Sequence, residues 1–529
     1  MAASLKPTVQ PGHEVHDFTS TRKWIIAFSV MLGTVLEVLD SSIVNVSLPH
    51  MQGSFSASVD EIAWVVTSYL VAAGIMIPMT GWIAERFGRK RYFVASITMF
   101  IVSSALCGVA QSLNQIVFFR LMQGAAGAAM MPLSQAILME TFPPREQAMA
   151  MAVWGIGMMV APIMGPTIGG YITDAWSWRW NFYINVPIGT LAAFMVYRFV
   201  DDPAYMRNLR RGRVDLLGIL CLFVTLGLGE IVLDRGERAD WFTSPWVVYC
   251  TAAALISLAV LVYHELHTED PVVDLSILEN MNFTLPVALV IFLTFTLYGT
   301  AILNPIFLQE TLGYTASKAG LVMAPRGFGT MFSMIILGTY ARRGGDIRPL
   351  VGIGFIFVGF AMWEMSGLNL ASDVRRIVWP TVLQGIGTGL VFPGLSAAAL
   401  SSMEKFKMGR AASLYSVTRN LGAAIGTSYL TTLLIHRQQV NQSYLTEHVT
   451  VFSLPHMQMP GARGMSLAQQ YTMGDKHGMM MLYGMVQRQA MMLSFNDIYR
   501  ILCVLMLVLV PTFLFLKRDT RNLPAEAAH

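Results

Sequence analysis

Long apolar runs separated by short polar breaks dominate the chain from end to end. A membrane-spanning helix needs about 20 mostly apolar residues. Fourteen runs meet that length: 24–46, 62–82, 92–111, 114–138, 147–172, 182–200, 214–234, 245–264, 284–308, 319–340, 350–366, 377–401, 411–436 and 497–516. They predict an all-α membrane protein of fourteen transmembrane helices. Residues 1–21 are polar and contain two prolines. The first run is too long for the core of a signal peptide and lacks a small-residue cleavage site after it, so it reads as a retained first span. The break at 437–495 is unusually long. It carries Pro455, Pro460, many Met and Gln residues and the apolar stretch 479–485, and it reads either as a disordered connector or as a contact surface for a periplasmic partner.

Composition agrees with this pattern. The chain is 54% hydrophobic and 13% charged, with a mean hydropathy of +0.53, against roughly 25% charged residues in soluble domains. The net charge of +4 is spread over short clusters, which gives nucleic-acid binding no support. Cys107, Cys221, Cys250 and Cys503 lie inside apolar runs without metal-ligand spacing, so neither a disulfide nor a metal site is expected. No nucleotide-binding loop and no Ser/His/Asp or His-rich constellation is present. No catalytic residue and no cofactor is therefore assigned, the chain is not expected to be an enzyme, and energy must come from an ion gradient or from a partner.

Lys and Arg are concentrated in alternate loops. One side carries Lys6, Arg22, Lys23, the cluster at 86–91, Arg145, the cluster at 207–213, Arg342, Arg343, Arg348, Lys405, Lys407, Arg410, Lys517, Arg518 and Arg521. The other carries Arg179, Arg235, Arg238, Lys318, Arg375, Arg376 and four in the long loop. By the positive-inside rule both termini are cytoplasmic in a multi-pass membrane protein. Residues 265–283 should share that side yet contain no Lys or Arg, and the rule does not account for them.

The two halves echo each other. Gly81-x3-Glu85-Arg86-x-Gly88 is matched by Gly338-x3-Arg342-Arg343-x-Gly345, and Gln123-Gly124 with Pro132 by Gln384-Gly385 with Pro393, at offsets of 257 and 261. Spans 1–6 thus map onto 9–14 and leave 7 and 8 as an inserted pair. The implied organisation is a cytoplasmic tail (1–23), an N-terminal six-helix bundle (24–201), linker helices 7 and 8 with their loops (202–283), a C-terminal six-helix bundle that includes the long loop 437–495 (284–516), and a second cytoplasmic tail (517–529). Repeated halves around a midplane cavity are a secondary-transporter plan.

Within this frame a few residues carry chemistry. Glu37 and Asp40 are three apart in the first span and share a helix face. An ionised carboxylate at that depth costs about 2.5–3.5 kcal/mol on insertion scales, so it must face a cavity, pair or take up a proton. Burial favours the neutral acid and a nearby guanidinium the carboxylate, which suits proton exchange as a cavity opens to each side in turn. Arg120 in the fourth span is the natural partner, and a purely structural polar pair is the alternative. Arg326 and Arg419 are the matching oddities of the second half. Arg419-Asn420 is flanked by Gly422 and Gly426, which suits close packing. Gly81, Glu85, Arg86, Gly88 and Arg89 form a charged turn able to act as a conformational latch, with Glu85 paired to an Arg on a neighbouring helix end. In the fifth span Gly157, Pro162, Gly165, Pro166, Gly169 and Gly170 predict a broken ladder, a flat face and a bend against a neighbour. Glu230 in the inserted pair is expected to be structural. Candidates for a substrate cavity are Asn45, Gln123, Tyr298, Gln309, Arg326, Tyr415, Arg419 and Asn420. The 36 Met residues suit a surface that accommodates varied ligands.

Together these segments resemble the major facilitator superfamily, specifically its fourteen-helix drug:proton antiporters of the EmrB/QacA type. The resemblance rests on the run 39–49, on residues 81–91 (with Glu85 where the family has Asp), on Arg120-x-x-Gln123-Gly124 and on the Gly157-to-Gly170 segment. It extends through Trp176-Ser177-Trp178-Arg179-Trp180, Ile184-Asn185-Val186-Pro187, Pro271-Val272-Val273-Asp274, Thr418-Arg419-Asn420 and Arg488-Gln489-Ala490. It implies two six-helix bundles, alternating access and export of amphipathic drugs against protons. For EmrB-like members it also implies a periplasmic adaptor of the membrane-fusion type and an outer-membrane channel. A dedicated exporter of one metabolite, siderophore or lipid-like product is the alternative, and a non-transporting scaffold a remoter one.

Overall fold

The computed structural model describes residues 20–202, 215–268, 270–448 and 476–516, which are helical with short connections and contain no strand. The first half comprises α1 (Ser20–Phe55), α2 (Val59–Ile62), α3 (Trp64–Met76), α4 (Thr80–Phe87), α5 (Arg89–Val109), α6 (Leu113–Gly127), α7 (Met130–Thr141), α8 (Pro144–Ala175), α9 (Trp180–Tyr183) and α10 (Asn185–Phe199). The inserted pair is α11 (Leu216–Arg235) and α12 (Pro245–His267). The second half comprises α13 (Met281–Ile306), α14 (Ala316–Arg342), α15 (Ile347–Met365), α16 (Val374–Ser401), α17 (Met408–Glu447) and α18 (Lys476–Leu509).

Among the described residues twelve helical segments are long and apolar enough to cross a membrane, and α3 with α4 makes a thirteenth pass bent by 60°. The forty-residue α17 is too polar to join them on composition alone. Its place in the packing explains that polarity. It lies between α13 and α18, with Gly422 against Ile291 and Thr294 and Gly426 against the backbone of Phe295. A helix shielded from lipid on several sides has no need of an apolar surface all round.

The helices differ from the apolar runs in instructive ways. α1 continues to Phe55, through Pro49. The fourth run divides into α6 and α7 around Ala128 and Ala129, where Pro132 has no N–H to donate four residues back. The fifth run forms one helix in spite of its two internal prolines. α8 stays helical through Pro162 and Pro166, because Gly157, Gly165 and Gly169 seat it tightly on Met31, Ser42 and Ile43 of α1. The reading of 437–495 as one loop is also corrected. α17 remains helical to Glu447 and α18 begins at Lys476, and Asn441 Nδ2 donates to Ser494 Oγ across the pair at 3.0 Å. At 1.5 Å per residue α17 is about 60 Å long, twice the roughly 30 Å hydrocarbon core. Hydropathy marks where a helix meets lipid, whereas residues such as Gln438, Gln439 and Gln442 sustain a helix beyond it. Residues 449–475 of that connection lie outside the described residues.

The fold is two six-helix bundles with an inserted pair. In the first, α1 packs on α7, α8 and α10, α3 on α6, and α5 on α6 and α10. In the second, α14 and α15 pack on α16, α13 on α17, and α15 and α17 on α18. The inserted α11 leans on α3, with Gly227 beside Ile75. Trp241, in the turn before α12, reaches α17 through an Nε1 donation to Thr432 Oγ1 at 3.0 Å.

Candidate functional site

Asp40 is the most enclosed charge of the first half. Its Oδ2 accepts from Arg120 Nη1 at 2.6 Å, and its Oδ1 accepts from Gln123 Nε2 at 2.9 Å and Asn185 Nδ2 at 2.6 Å. Arg120 also donates to the Val65 carbonyl at 3.1 Å and to Gln123 Oε1 at 2.7 Å. Its guanidinium lies 4.2 Å from the Tyr69 ring centre. Asn185 goes on to Ser104 Oγ at 3.0 Å. Asp40 is 0% and Arg120 1% exposed. Five helices (α1, α3, α5, α6 and α10) thus contribute to one network around the carboxylate, and Gly124 lets α6 approach α3 closely enough for this, since a Cβ there would overlap the Tyr69 carbonyl. Asn185, Ser104 and Tyr69 were not singled out as site residues. Asn185 was legible only inside a motif, because nothing in the spacing of α10 relative to α1 shows that the two touch.

Glu37, one turn from Asp40, is buried differently. It is 9% exposed, and its Oε2 has no hydrogen-bond partner among the described residues. The charged groups acting on it are Arg419 of the second half and Asp40. Arg419 is 2% exposed. Its Nη2 lies against Met131 Sδ and donates to Asn420 Oδ1 at 3.1 Å, and its Nη1 has no partner among the described residues. Arg419 is thus the cation of the other half that acts on Glu37, with no hydrogen bond between the two among the described residues.

The halves meet where the basic loops lie. Glu85 of α4 is held by Arg410 at the start of α17, with Arg410 Nε donating at 2.8 Å and Nη2 lying at 2.7 Å. Arg410 Nη1 and Lys407 Nζ also lie 3.9 Å and 3.5 Å from Asp274. Gly81 faces Gly409 and Arg410 so closely that a Cβ would come within 2.7 Å of the Arg410 backbone. Arg89 is directed inside its own half, to Glu140 at 2.5 Å, and Arg86 lies over the Trp82 ring at 5.5 Å. Gly88 adopts φ 91°, a backbone that favours glycine, with Asp202 accepting from the Lys90 N–H at 2.8 Å. Further contacts lie on the same side: Gly155 on Met334, Gly338 on Met149 and Ala152, and Trp154 stacked 6.5 Å from Phe392. Farther along α8, Pro162, Met164, Pro166 and Thr167 are exposed.

The remaining candidates are dispersed. Asn45 and Tyr298 are exposed, Asn420 is half-buried, and Gln309 lies exposed in a π-helical turn, Phe307–Thr311. Gln123 and Tyr415 are wholly enclosed, Gln123 by the Asp40 cluster and Tyr415 by its bond with Ser396 at 2.8 Å. Neither reaches an open cleft in this arrangement. Their burial follows from which face of each helix meets its own bundle, which residue type alone does not specify.

The sequence profile of the Major Facilitator Superfamily matches residues 30–427. The multidrug export protein EmrB of Escherichia coli (strain K12) is 35% identical over 497 residues, 93% of this chain and 95% of that protein. The fatty acid resistance protein FarB of Neisseria gonorrhoeae is 32% identical over 489 residues, 92% of this chain and 94% of that one. Among solved structures, the proton:xylose symporter XylE superposes with a TM-score of 0.62 at 13% identity, covering 95% of this chain and 97% of the other, a likeness of fold.

Proposed function

The chain belongs to the major facilitator superfamily, and from that premise we propose that it exports amphipathic small molecules against protons by alternating access. The observation that carries this reading is the acidic pair of α1. Asp40 is locked to Arg120 inside the first bundle, while Glu37, one turn away, keeps an unpartnered oxygen and faces a cation of the other bundle. A carboxylate that must be neutralised at this depth, at a boundary that moves, couples a proton to the motion. Glu37 and Asp40 carry the proton, with Arg120 setting the balance. The functions for which the similar proteins are named, multidrug export and fatty acid resistance, support the efflux direction.

The basic face is the cytoplasmic one by the charge bias, in a bacterial inner membrane with both termini inside. The Glu85–Arg410 latch then closes the cytoplasmic side, and the cleft along α8 opens outward. The glycines and prolines of α8, seated on α1, form the surface on which the halves rock. The lengths of α17 and α18 support a periplasmic projection, and the exposed Val440, Tyr444, Met480 and Tyr483 suit docking of a membrane-fusion adaptor that continues to an outer-membrane channel.

The test is proton release from the purified protein in detergent on adding amphipathic compounds, comparing wild type with Asp40→Asn and Glu37→Gln. Release in wild type that is abolished in at least one variant is expected. Undiminished release from both variants would place the coupling elsewhere.

A further inference from the structure

The internal symmetry exposes a charge that the second half does not balance. Gly124 of α6 approaches the carbonyl of Tyr69, and Gly385 of α16 approaches the carbonyl of Arg326 in the same way. Arg326 thus occupies the position of Tyr69, at the offset of 257 that relates the basic turns. Gln123 donates to Asp40 and, equivalently, Gln384 Nε2 donates to Thr300 Oγ1 at 2.8 Å. Thr381 stands where the first half has Arg120. The second half has therefore lost both members of the buried ion pair, and it has gained a guanidinium at the place of an aromatic ring.

Arg326 has few partners. Among the described residues its one hydrogen-bond acceptor is the Leu297 carbonyl, at 3.4 Å from Nη2. The titratable group nearest in effect is the neutral phenol of Tyr499, whose hydroxyl donates to Asn304 Oδ1 at 2.7 Å. Among the described residues no carboxylate is paired with it. Among the described residues Asn304 Nδ2, beside Tyr499, is a buried donor without a partner, on a residue 2% exposed. Arg326 itself is half-buried, and it lies at mid-depth along α14, above the level of Met334 and Gly338 where the halves touch. Of the other charges at this depth, Asp40 is paired with Arg120, and Arg419 has an acid of the other half, Glu37, on which it acts. Arg326 remains as an excess cation, and a cation at the bilayer centre is unfavourable without a counter-charge.

We infer that Arg326 holds the anionic headgroup of the transported amphipath, so that the cleft selects carboxylates and similar anions over cations of the same chain length. This rests on the export reading above, and it adds the sign of the substrate. The headgroup oxygens take the guanidinium donors that the protein leaves open, the apolar tail lies along the cleft, and the bound anion balances the half that lacks an acid.

The experiment pairs dodecanoate with dodecyltrimethylammonium, which share a chain and differ in sign. Binding to the purified protein in detergent and proton-driven uptake into proteoliposomes are measured for wild type, Arg326→Gln and Arg326→Lys. Melting temperature in detergent verifies that each variant is folded. Wild type should bind dodecanoate about tenfold or more tightly than the cation. Arg326→Gln should erase that preference and Arg326→Lys restore much of it, which a merely structural arginine would not do. Preferential binding and transport of the cation would overturn the anion assignment and leave export standing, as would an anion preference unchanged in folded Arg326→Gln. Selective, Arg326-dependent binding of dodecanoate without transport of either probe would uphold the site and overturn the export reading.

Discussion

Asp40 and Arg120 show how much of a residue's role is set by what encloses it. Each is fully sequestered, and each satisfies the other together with two amides. Removing one partner from such a pair leaves an uncompensated buried charge and costs roughly 3–5 kcal/mol, whereas removing both costs far less. Arg120→Leu alone should therefore lower the melting temperature in detergent markedly, and Asp40→Leu with Arg120→Leu should recover most of that loss. A double variant no more stable than the worse single one would show that the pair is not the interaction holding these helices. Glu37 differs in having no such partner, and replacing it with Gln removes a charge without stranding another in its own bundle. The sequence marks both acids as costly. Only their surroundings separate the saturated one from the open one.

At the scale of elements, glycine determines which helices meet. Gly81 of α4 lies against the backbone at the start of α17, and Glu85 on the next turn holds Arg410. The contact has two independent parts, a close approach and an ion pair, so they can be tested apart. Gly81→Leu should wedge the basic face open while leaving every charge in place. Spin labels on α4 and α17 should report a longer distance distribution in this variant than in wild type. An unchanged distribution would mean that the approach seen here does not limit closure. The charged turn at 81–91 was readable as a candidate latch. Its counterpart was not, because Arg410 and Asp274 are far from it in sequence and are brought together only by the pairing of the two bundles. The prolines of α8 make the complementary point. Pro162 and Pro166 remove two donors from its ladder, and the helix runs on through them where α1 supports it along a row of glycines.

For the whole molecule, the lengths of α17 and α18 matter more than their composition. Helices that outrun the membrane project from the face opposite the latch, and Val440, Tyr444 and Tyr483 are exposed there. If these carry an adaptor, Tyr444→Glu with Tyr483→Glu should cut export from whole cells severalfold. Uptake by the same protein in proteoliposomes, where no adaptor exists, should be unaffected. Equal losses in both assays would assign the surface to the transport cycle itself. The inserted pair contributes at this scale too, since α11 rests on α3 while Trp241 reaches α17, so it spans both halves.

Hydrophobic run length by itself determined that this chain lives in a membrane, and loop charge and repeated motifs supplied an orientation and a two-part plan. Those are properties of single segments in contact with solvent or lipid, and a single segment displays them. The polar helix α17, the helical ends within 437–495 and the seating of α8 on α1 were decided by tertiary structure, because burial against other helices replaces the lipid or water that hydropathy assumes. The site followed the same division. Glu37, Asp40, Arg120, Arg326 and Arg419 stand out in sequence because charge is rare at their depth. Which of them neutralise each other, and which is left with a charge to share, depends on distances between helices far apart in the chain, and only packing sets those.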